Sequence, residues 1–188
     1  MLKRYAMAIV LTLFSVIPSV AGDSNTFAET KKRAEQGDAV AQFNLGVMYH
    51  FGLGTPKNDL EAFKWTAKAA EQGDVLAQSS LGWSYDNGRG TSQNYQEAVK
   101  WYTKAAEQGD AVAQFNVGLM YAKGEGVPQN YEQAYIWASL ATAQSDAPEN
   151  AEKLRDEVAK KLPPKDLIAA QQRAAELQKQ IEANAKTP

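Results

Sequence analysis

Few side chains in this sequence could do chemistry. His50 is the only histidine, and cysteine is absent. Neither a thiol nucleophile with its imidazole nor a multi-histidine metal site can be built. A Ser-His-Asp arrangement would have to recruit His50, which stands beside Gly52 and Gly54 at the end of a helix-patterned stretch. A solvated or groove-lining histidine suits that position better. Asp59 and Glu61 sit where a helix begins, and carboxylates there complement the positive end of its dipole. Gly52-Leu53-Gly54 is not a phosphate loop, because no strand pattern precedes it and no Lys-Ser/Thr pair follows. The chain therefore reads as a non-enzyme, with no cofactor and no metal expected.

The amino terminus has the pattern of an export leader. Lys3 and Arg4 precede an uncharged apolar run, Ala6–Ile17, which Pro18 breaks before the small residues Ser19-Val20-Ala21. The run is shorter than the roughly 20 residues a membrane span needs. Residues 1–21 are read as a signal peptide cleaved near Ala21/Gly22, giving a periplasmic or secreted protein; an uncleaved anchor is the alternative. Lys3 and Arg4 are two of 20 basic side chains, so without them the balance against 22 acidic ones is −4. That mild acidity argues against a nucleic-acid partner, since phosphate neutralisation needs clustered Lys and Arg. The mature chain has no further segment apolar enough to span a membrane. It is long enough for one packed domain and is expected to be a monomer.

Elements that could position a site emerge from a repetition. Ala-Glu-Gln-Gly-Asp recurs at Ala34–Asp38, Ala70–Asp74 and Ala106–Asp110, 36 residues apart each time. Many positions match at that period: Leu45, Leu81 and Val117; Gly46, Gly82 and Gly118; Tyr49, Tyr85 and Tyr121; Trp65, Trp101 and Trp137. Ala41, Leu45 and Tyr49 fall at i, i+4 and i+8, one helical face. Gly46 beside them costs roughly 1 kcal/mol relative to Ala in a helix, which close packing explains; Trp65 is expected to fill the gap. Glycine pairs such as Gly52/Gly54 end the first helix of each unit. Asn58-x-x-Glu61, Asn94-x-x-Glu97 and Asn130-x-x-Gln133 open the second as capping boxes. Ala-Glu-Gln-Gly-Asp is then the joint between units: last helical turn, left-handed glycine, and an aspartate capping the next helix.

These residues resemble the Sel1-like repeats, relatives of the tetratricopeptide repeats. The shared pattern runs from Ala41 to Asp74, from Ala77 to Asp110, and from Ala113 to Ala141. The resemblance implies an all-α, right-handed superhelical solenoid. Residues 22–34 are a half-repeat helix, 35–145 three repeats of 36 residues, and 146–188 degenerate closing helices and a tail. Such folds bind partners on a concave face lined by first helices. That geometry directs Phe43, Val47, His50 and Phe51 into the groove. Ser79, Trp83, Asp86 and Asn87 follow from the second repeat, and Phe115, Leu119, Ala122 and Lys123 from the third. The expected function is a non-catalytic exported module holding a peptide or protein segment, of unknown identity, with Trp83 as the sharpest contact. The alternatives are an enzyme acting on cell-wall material or β-lactams, and a structural adaptor of an envelope assembly. The β-lactam comparison is weakened by the cysteine pairs of the proteins it rests on, which this chain lacks.

Overall fold

The computed structural model of the protein describes residues 24–185, so the leader expected at 1–21 lies outside the described residues. Among the described residues there are nine α-helices and no strand: α1 Ser24–Glu35, α2 Ala39–Phe51, α3 Asp59–Glu71, α4 Val75–Asn87, α5 Tyr95–Ala106, α6 Ala111–Lys123, α7 Tyr131–Thr142, α8 Ala151–Ala159 and α9 Pro164–Asn184.

Local chemistry sets the boundaries. Asp38, Asp74 and Asp110 cap α2, α4 and α6 by accepting from the amides of Ala41, Ala77 and Ala113 at 2.6–2.9 Å. Each of these helices ends on a left-handed glycine, Gly52, Gly88 or Gly124, with φ of 64–75°. The expected capping boxes are only half made. Asn58, Asn94 and Asn130 do accept from the amides three residues on. Their own amides donate to the carbonyls of Tyr49, Tyr85 and Tyr121 instead. That bond ties each loop back to its first helix, and Glu61 and Glu97 turn outward to Lys64 and Lys100.

Each first helix packs on its own second helix and on the second helix before it, which builds a solenoid. The helix-pair contact corrects one expectation. Trp65 does not fill the gap at Gly46. A Cβ on Gly46 would meet Thr66 and the backbone carbonyl of Ala62; on Gly82, the ring of Tyr102 at 2.7 Å; on Gly118, the carbonyl of Ala134 at 3.1 Å. The tryptophans lie one residue earlier, rotated toward the seam between units. Trp101, 8% exposed, shares a cluster with Ala69 and Ala70 of α3, Ala77 and Leu81 of α4, and Phe43 of α2. Trp65 is only half-buried, against Ala34, Ala41 and Leu45.

The joints carry a hydrogen-bond relay. Gln42, Gln78 and Gln114 are buried and donate to the carbonyls of Ala34, Ala70 and Ala106. The glutamines of the joints, Gln72 and Gln108, donate in turn to the side-chain oxygens of Gln42 and Gln78 at 2.7 Å. At the end of the array α8 stands where another first helix would, packing on α7 and touching α6. α9 then lies along α7 rather than completing a regular pair with α8. It begins on Pro163-Pro164 with no side-chain cap.

Candidate functional site

The face made by α2, α4 and α6 gathers most of the candidate residues, though not all. Phe43 and Ser79 are corrections: they are 3% and 5% exposed and belong to the stack between units. Phe43 joins the Trp101 cluster, and the Ser79 hydroxyl donates to the Asp110 carboxylate. At this level of the helix the neighbouring unit stands too close for a side chain to reach solvent. Val47 is half-buried against the Phe43 cluster, while Phe115 and Leu119 are half-buried against that of the third unit.

Towards the carboxyl ends of the first helices the face opens. His50 and Trp83 are half-buried, their ring centroids 5.7 Å apart in an edge-to-face pair. Phe51, 44% exposed, packs its ring on His50 at 4.6 Å. Asn87 is exposed and donates its amide to the Trp83 carbonyl. Lys123 is exposed and pairs with Glu125 at 3.4 Å.

His50 Nδ1 lies 2.9 Å from Asp59 Oδ1. A carboxylate can only accept, so Nδ1 carries the proton. Burial pulls the His50 pKa down, and Asp59 opposes that pull. The imidazole is thus neutral at neutral pH. The second Asp59 oxygen meets Arg89 at 3.4 Å and Lys57 at 3.7 Å. Arg89 belongs to the second unit, so this group ties two units together where a Cβ on Gly90 would collide with the Asp59 carbonyl. Gly90 and Gly126, each the second glycine of its pair, therefore permit backbone-to-backbone approach of neighbouring units, a role the glycine spacing alone did not show. Among the described residues no three metal-ligating side chains converge, and no helix is long and apolar enough to cross a membrane.

The Sel1 repeat family model matches residues 39–74, 75–110 and 111–146, more than half of the chain. The chain belongs to the Sel1 repeat family. Among solved structures it is similar to a protective antigen present in uropathogenic Escherichia coli strains and described as displaying an SLR fold. The two share 35% identity over 85% of this chain, with a TM-score of 0.77, but this chain spans only 34% of that one. It is also similar to a Sel1 repeat protein from Oxalobacter formigenes, at 39% identity and a TM-score of 0.63 over 69% of this chain and 96% of the other. No curated protein matches the sequence. Sel1 repeats are in general non-catalytic protein-interaction modules.

Proposed function

We propose that this Sel1 repeat protein is a non-catalytic, exported module that holds a peptide or protein segment along the face of α2, α4 and α6. The observation that carries the reading is Trp83. It sits at the middle of the three units, half-buried, between His50 of the first unit and the third unit's cluster. α9 packs chiefly on α7, a second helix. Trp is enriched among residues whose truncation costs 2 kcal/mol or more in an interface.

Fluorescence anisotropy with degenerate nonapeptide pools tests the reading. Trp83→Ala should weaken binding of the pool that wild type holds by more than about 1 kcal/mol, with melting temperature little changed. Equal affinity in the variant removes this face as the binding surface. Turnover assays with β-lactams and cell-wall fragments should show no activity. Export rests on the Lys3-Arg4, Ala6–Ile17 and Ser19–Ala21 pattern and is compatible with the likeness to a protective antigen. Expression with the natural leader should yield protein shortened by the leader in the periplasm or medium; full-length chain in the membrane fraction counts against it.

A further inference from the structure

We propose that Trp83 and Asp86 form a subsite for one lysine or arginine side chain of the bound peptide, an inference that rests on the first-helix face being the binding surface. Trp83 and Asp86 are one helical turn apart on α4 and so lie on the same side of it. Asp86 is half-buried, and among the described residues no cation pairs with its carboxylate and no hydrogen bond reaches it. Gln93 donates to the Asp86 backbone carbonyl, not to its carboxylate.

The nearest charges explain why the carboxylate is left over. Burial pushes the Asp86 carboxyl up from its ordinary range; Glu125 adds to that and Lys123 opposes it. Lys123 is engaged by Glu125 and makes no ion pair with Asp86. At the same register the following first helix carries the small side chain of Ala122, whereas the preceding one carries His50, whose ring stands against Trp83. A half-desolvated, unpaired carboxylate one helical turn from an indole suits a guest cation, which gains a charge-assisted bond at one end and ring contact along its stem. The outer face already uses the second half of this pairing: Lys104 Nζ lies 4.1 Å over the Trp101 ring and Lys68 Nζ 4.0 Å over Trp65. The remaining groups at this end are satisfied, Arg89 and Lys57 by Asp59 and His50 by the same carboxylate. Selection for a basic residue is therefore local to the step between the second and third units.

The test uses the full chain and two nonapeptide pools, degenerate except for a central lysine or a central norleucine, which has a similar stem and no charge. Wild type should bind the lysine pool roughly tenfold more tightly. Asp86→Asn should abolish that preference by weakening binding of the lysine pool roughly tenfold. The variant removes a desolvated charge, and a melt confirms that it folds. If wild type binds both pools alike, or the preference survives in Asp86→Asn, the subsite is wrong. The binding face itself stands in that case, provided Trp83→Ala still weakens both pools. If wild type binds neither pool, the subsite and the reading beneath it fall together.

Discussion

At Gly82 the ring of Tyr102 lies where a Cβ would stand. Gly82→Ala should therefore cost about 1–3 kcal/mol by overpacking. The cost should shrink in a Tyr102→Ala background, and denaturant melts of the four-member cycle measure that coupling. An equal penalty in both backgrounds would show that the ring is not what Gly82 accommodates. Asp86 supplies a second residue-scale prediction. Its folded-state pKa is raised, chiefly by burial, so the protonated form is favoured and ionisation at neutral pH opposes folding. Asp86→Asn should raise the melting temperature at neutral pH, and the gain should vanish once acid protonates Asp86 in both states. The glycine column was legible as a close contact, but its partner was not. Thr66, Tyr102 and Ala138 share no chemistry, and much of the contact at Gly46 and Gly118 is to backbone, which leaves no mark in a sequence. Trp65 was the conspicuous neighbour, and one residue along a helix turns a side chain by 100°.

Between elements, the seams hold the array together through tryptophan packing and the glutamine relay. Trp101→Ala should cost roughly 3–5 kcal/mol, because it empties a nearly closed site shared by three helices. Trp65→Ala should cost less, since that ring is half-buried. Gln78→Ala removes two hydrogen bonds at once, its own to the Ala70 carbonyl and that from the Gln108 amide; the carbonyl keeps the Gly73 amide and Gln108 keeps the Lys104 carbonyl. A loss of about 1–3 kcal/mol is expected by thermal or urea melts; no loss would make the relay incidental. Helix boundaries and caps were readable because Asp, Asn and Gly act locally. The relay was overlooked although Gln42, Gln78 and Gln114 repeat at the same period, because a polar residue next to an alanine looks solvent-facing until the neighbouring joint is in place. The closing helices also had a signal. Lys64, Lys68, Lys100 and Lys104 stand on the outer sides of α3 and α5, while the matching positions of α7 are Ile136 and Leu140, 2% exposed each. That switch marks where α8 and α9 pack on α7. Its cause is long-range packing, beyond the reach of a local motif.

Across the whole molecule, the repeated positions build the stack, and the positions that differ between units populate one end of the first-helix face. Helical register could assign residues to that face. It could not reveal that Phe43 and Ser79, on the same side, are closed off by neighbouring units while Trp83 and Asp86, farther along α4, are not. Four tryptophans distribute natural reporters over the structure: Trp83 on the proposed binding face, Trp65 and Trp101 in the seams beneath lysines, and Trp137 in the cluster of the third unit. Their indole N–H signals in a nitrogen-15 correlation spectrum, assigned by single Trp→Phe substitutions, can be followed while the tightest-binding nonapeptide is added. Binding on the first-helix face should shift or broaden the Trp83 signal and leave Trp65 and Trp101 in place. Saturable binding that moves Trp65, Trp101 or Trp137 while Trp83 stays still would contradict the account.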